Sequence, residues 1–176
     1  MMIIHYILCN YKKIAGPVGV LIMVLLCNFS LKAQERPPRP ISIYVNPAQG
    51  LVFGGFFQGT TGGTVIVYPD GSRSVTGDLI QANLGIPFSP AIFEVDANPG
   101  TLISILNGPD ATLTGSNGGT LHLHIGNANT GAQFITTVVP PGRTQVRIGG
   151  TLTAGNALAN PAGIYSGTFS ITFIQQ

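Results

Sequence analysis

The chain has 176 residues, of which eight are Lys or Arg and six Asp or Glu, with 24 glycines, 13 prolines and no tryptophan. A formal net charge of +2 and a charged fraction of only 8% give no electrostatic footprint for phosphate backbones, so no nucleic-acid partner is expected. The glycines follow no fixed period, which excludes collagen-like and β-helical repeats.

Residues 1–33 read as a cleaved secretory signal peptide: Lys12 and Lys13 precede an apolar run at residues 18–29, and Ala33 supplies the small residue before the cut. The run is about 12 residues long, short of the roughly 20 needed to span a membrane, and Gly16-Pro17 interrupts any longer helix. The expected location is therefore the periplasm, the cell surface or the extracellular medium, with no membrane anchor after cleavage. Removing residues 1–33 leaves 143 residues, enough for one domain. Cys9 and Cys27 leave with the signal, so no disulfide can support the exported fold. Lys12, Lys13 and Lys32 leave as well, and five Arg then face six carboxylates.

Residues 34–40, QERPPRP, read as an extended proline-rich leader. From residue 41 to 176 short apolar segments alternate with Gly, Pro, Asn and Asp clusters about every ten residues, the pattern of a single all-β sandwich domain without helices. Ile41, Ile43 and Val45 share one face of the first predicted strand. Residues 51–57, 65–68 and 102–106 are apolar on both parities, as in central strands or strands covered on the outside. Tyr68-Pro69-Asp70-Gly71 and Asn98-Pro99-Gly100 are turn signals and predict hairpins, hence antiparallel sheets. Three further strands read as half-buried: Ala91, Phe93 and Val95 oppose Glu94 and Asp96, Leu121, Leu123 and Ile125 oppose His122 and His124, and Val146, Ile148 and Leu152 oppose Gln145 and Arg147. The last predicted strand places Tyr165, Phe169, Ile171 and Phe173 on its core face.

Three stretches then carry a family likeness. They are residues 62–74 (GGTVIVYPDGSRS), residues 91–105 with Pro99-Gly100, and residues 146–152 (VRIGGTL) followed by 163–169 (GIYSGTF). In order and spacing they resemble the bacterial family known as domain of unknown function 4402, which is distantly similar to spore-coat-U and archaic-pilin subunits. The resemblance implies an immunoglobulin-like antiparallel β-sandwich and assembly into surface structures through a periplasmic chaperone and usher. It brings no catalytic residues, and the mature chain lacks the cysteines that such pilins often pair. Gly163-x-Tyr165 resembles the tyrosine corner of these sandwiches, with Gly167 where antibody domains place a Cys.

No catalytic constellation is expected, and no cofactor. His122 and His124, two apart on one strand, could reach one metal ion, but no Cys or carboxylate pattern nearby supplies further ligands; they read as polar residues on a solvent face. Asp70, Asp78, Asp96 and Asp110 lack the spacing of a calcium loop. Ser166 lacks the glycine two residues earlier that a nucleophile elbow requires. The sharpest functional candidate is the segment Ile41-Ser42-Ile43-Tyr44-Val45 after the leader. It could be donated to the exposed edge of a neighbouring copy, three buried apolar side chains contributing about 5–9 kcal/mol before ordering costs. The favoured reading is that it is simply the first strand of its own sandwich, because Asn46-Pro47 allows only a short turn before Leu51. The expected function is a secreted non-enzymatic structural or adhesive protein, with self-association or a chaperone and usher as partners. The alternative is a self-contained binding module for a glycan or protein.

Overall fold

The computed structural model describes residues 39–45, 49–83 and 85–176. The expected signal peptide, residues 1–33, and most of the expected leader lie outside the described residues. Alternation and turn chemistry produce eleven strands and no α-helix among the described residues: β1 (Ser42–Val45), β2 (Phe56–Val67), β3 (Arg73–Gln81), β4 (Ala91–Asp96), β5 (Leu102–Asn107), β6 (Ala111–Gly115), β7 (Thr120–Ala128), β8 (Gln133–Ile135), β9 (Thr144–Ala154), β10 (Tyr165–Ser166) and β11 (Ile171–Gln175).

Every pairing is antiparallel. One sheet runs β1-β4-β9-β7-β6-β10, with the β2–β3 hairpin joined to β9, and a second runs β11-β5-β8. Strand β9 organises the larger sheet. Along one edge Thr144 to Ile148 pair with β4 and Gly150 to Ala154 with β2, while the other edge pairs with β7. The inner face of this sheet presents Val65, Val95, Leu121, Leu123, Val146, Ile148 and Leu152, all nearly inaccessible to solvent. Facing it are Ile103, Ile105, Ile171 and Phe173 of the smaller sheet, and the Phe93 and Phe173 rings meet across the layers with centroids 5.5 Å apart. The result is the expected all-β antiparallel sandwich, its core supplied by residues of one parity on each strand.

Local chemistry explains the β2–β3 turn. The Gly71 amide donates to the Tyr68 carbonyl, and Ser72 donates from its amide and hydroxyl to the Asp70 carboxylate at 2.8 and 2.6 Å. These bonds hold the Asp70 carboxyl below its ordinary pKa, the Ser72 hydroxyl being the larger cause.

Asn98-Pro99-Gly100 behaves differently. The chain does turn there, with Thr101 donating to the Asn98 carbonyl, but β4 and β5 belong to different sheets, so the turn is a crossover rather than the predicted hairpin. The Thr136 hydroxyl braces it by donating to the Asn98 carbonyl at 2.5 Å. Asp96, expected on the solvent face, is instead buried at the end of β4 because Arg39 lies over it, Nη2 to Oδ2 3.0 Å.

The final strand also departs from the sequence expectation. Tyr165 and Ser166 pair with β6 in the larger sheet, whereas residues 171–175 pair with β5 in the smaller. Alternation continues through the switch, so Tyr165, Phe169, Ile171 and Phe173 all pack on the core as expected. Tyr165 forms the predicted corner, its hydroxyl donating to the Pro161 carbonyl at 2.7 Å. Gly167 has no room for a side chain: a Cβ there would sit 2.7 Å from the Thr112 carbonyl oxygen and 3.2 Å from Leu113 Cα.

Candidate functional site

The strand-exchange candidate folds as an edge strand. β1 pairs with β4 alone, Ser42 opposite Asp96 and Val45 opposite Phe93. Ile41, just before the strand, and Ile43 are half-buried against the core, while Val45 is 58% exposed. The three side chains therefore share a parity without sharing an environment.

Several polar contacts latch this segment onto its own domain. Gln175 accepts the Ile41 amide through Oε1 and donates from Nε2 to the Arg39 carbonyl. Arg39 pairs with Asp96. On the outer face Arg143 stacks on the Tyr44 ring, Cζ to centroid 3.6 Å, and donates to Glu94 Oε2 at 2.8 Å. That carboxylate is the main reason the guanidinium holds its proton even more tightly than usual. Tyr44 and Glu94 are register partners, so a single guanidinium clamps β1 and β4 together.

On another part of the sandwich lies an apolar groove of about 850 Å³, bounded by residues 51–58 and 161–169. Leu113, Leu121, Leu123 and Leu152 line it, together with Phe53 and Phe169. Its rim carries Phe57, Ile86 and Ile164, exposed by 56, 52 and 79%.

The wall at residues 53–55 is irregular because Arg73 captures its carbonyls. Nη1 donates to Phe53 at 2.8 Å and Gly55 at 3.3 Å, and the guanidinium lies 4.6 Å from the Phe88 ring centroid. Gly54 takes a φ of +72° between them, where a side chain would collide with Arg73. The predicted strand at 51–57 is consequently regular only from Phe56. Sequence reasoning missed the groove, whose walls lie about a hundred residues apart in the chain. The one local signal was the apolar character of residues 51–57 on both parities.

His122 and His124 point to solvent from one face of β7, as expected. The expectation of no nearby carboxylate is corrected: the fold brings Asp110 to His124, Oδ1 to Nδ1 2.8 Å. Asp110 belongs to the approach to β6, which pairs with β7. No group of three His, Cys, Asp or Glu capable of holding a metal occurs among the described residues. Asp70 and Asp78 serve turns and main chain: Asp78 accepts the amides of Thr60 and Thr61 at 2.6 and 3.2 Å, capping a bulge in β2. No helix of the described residues is long and apolar enough to cross a membrane.

The fold and these two features define an antiparallel β-sandwich with a latched edge strand and an open apolar groove. The model of the domain of unknown function 4402 (DUF4402) matches residues 43–174, and the chain belongs to that family. No curated protein and no solved structure matches it.

Proposed function

We propose that this protein is a secreted, non-enzymatic structural or adhesive surface protein whose copies associate by exchanging β1. The observation that carries the reading is the placement of β1: an apolar segment at a sheet edge, bonded to one neighbour and following a proline-rich stretch. A strand so placed can leave by breaking one ladder and the Arg39, Gln175 and Arg143 contacts that latch it, and re-form main-chain bonds on another copy. The polar groups fit a structural role, since the His124–Asp110 pair is exposed and Asp70 and Asp78 fasten turns.

Gel filtration and non-denaturing gels of the exported protein test the proposal. Multimers are expected from the intact chain and should vanish on deletion of residues 34–45. A plain monomer that retains binding to a polysaccharide or cell-surface preparation after the same deletion would favour a self-contained binding module instead.

A further inference from the structure

We infer that the groove between residues 53–58 and 163–169 is the acceptor for the exchanged strand, and that its occupant is β1 of a second copy. This rests on the exchange reading above and adds to it the place where the incoming strand binds.

The walls of the groove are strand edges. Phe57 lies opposite Ile80, and the Ala82 amide donates to the Gly55 carbonyl. In an antiparallel ladder that phase turns the main-chain groups of Gly55 and Phe57 toward β3, and those of Phe56 and Gln58 away from it. β9 reaches β2 only from Gly63 onward, so this edge of Phe56 to Gln58 has no strand partner among the described residues. Across the gap, Tyr165 and Ser166 pair with β6 on one edge only. Unpaired edges are templates for another strand. An acyl chain or small apolar molecule would cover the floor and leave the main chain of both walls unanswered.

The floor is suited to the same occupant. The buried Leu121 and Leu123, two apart on β7, underlie it, and the half-buried Phe56, Leu113 and Phe169 supply its accessible apolar surface. The Gln58 amide and Tyr165 hydroxyl beside them already donate to the carbonyls of Gly155 and Pro161, so the polar part of recognition falls to the main chain. β1 supplies the matching segment. Ile41, Ile43 and Val45 alternate, the strand occupies one ladder in its own domain, and the 58% exposed Val45 has no complete pocket there.

Disulfide trapping in the full chain, with Cys9→Ser and Cys27→Ser, tests the assignment. Val45→Cys combined with Phe57→Cys, or with Ile164→Cys, places thiols on the donor strand and on the two exposed rims. Reducible ladders of dimers and larger species are expected from at least one combination. Tyr44→Cys with Glu94→Cys reports the home register. Ladders from that pair alone would mean that β1 swaps onto a neighbour's β4, overturning the groove while leaving exchange intact; a monomer from all three would overturn both. A synthetic peptide of residues 41–47 should perturb NMR signals of Leu121 and Leu123. Phe57→Arg or Ile164→Arg, at exposed positions, should weaken its binding by about tenfold or more. Unchanged peptide affinity in both variants, or binding of decanoate with none of the peptide, would overturn the assignment.

Discussion

Gln175 grips the main chain on both sides of Pro40, accepting the Ile41 amide at 3.2 Å while donating to the Arg39 carbonyl at 3.4 Å. One amide side chain thus ties the last strand of the smaller sheet to the first strand of the larger. Gln175→Ala should cost about 0.5–1.5 kcal/mol and raise amide hydrogen exchange in residues 41–45 more than in β4. If β1 is the exchanged strand, the same variant should also multimerise faster, by gel filtration over time.

Arg39 contributes through charge. Asp96 is 7% exposed, and its Oδ1 finds no partner, so the bond from Arg39 to Oδ2 is its main compensation among the described residues. Arg39→Ala should destabilise the domain by about 1–3 kcal/mol, because a largely buried carboxylate loses its donor. In urea unfolding, Arg39→Ala with Asp96→Asn should cost less than the sum of the two single changes.

Acid should act on the β2 bulge. The amides of Thr61, first, and Thr60 hold the Asp78 carboxyl below its ordinary pKa. A depressed folded pKa means that the native state binds this proton less readily than the unfolded chain. The associated stability is present above the unfolded value and is lost as pH falls through the folded one. Thermal unfolding scanned downward from pH 5 should show this loss, and Asp78→Asn should flatten that part of the profile.

The carboxy-terminal strand should be indispensable. Phe173 meets Phe93 across the layers, and Phe173→Ala should cost about 3 kcal/mol, the lower end for phenylalanine truncation because the ring is half-buried. Phe169→Asp or Phe173→Asp should abolish folding, checked by circular dichroism and a soluble monomer assay. Tyr165→Phe, which removes the hydroxyl's contacts with the Pro161 and Gly118 carbonyls at 2.7 and 3.3 Å, should cost about 1 kcal/mol.

What could be read from the sequence was whatever local chemistry determines. The 68–71 turn is written in its own Pro-Asp-Gly, and the burial of Leu121, Leu123 and Ile125 in their alternation. Turn chemistry at 98–100 announces a reversal without saying which sheet receives the next strand. Alternation at 165–173 likewise survives the passage from one sheet to the other, so the switch is invisible to a count of parity. The groove was least legible, since Arg73 bends residues 53–55 from twenty residues away. Asp110 meets His124 only because β6 pairs with β7.

The passage of residues 165–175 from β6 to β5 has a mechanical consequence. A sandwich whose layers touch only through side chains can shear along its greasy midplane, and many extracellular domains rivet it with a covalent bridge. Here one continuous stretch of backbone is stitched into both layers, so sliding one over the other must rip a ladder of main-chain bonds. A domain fastened in this way keeps its resistance to tension in reducing and oxidising surroundings alike.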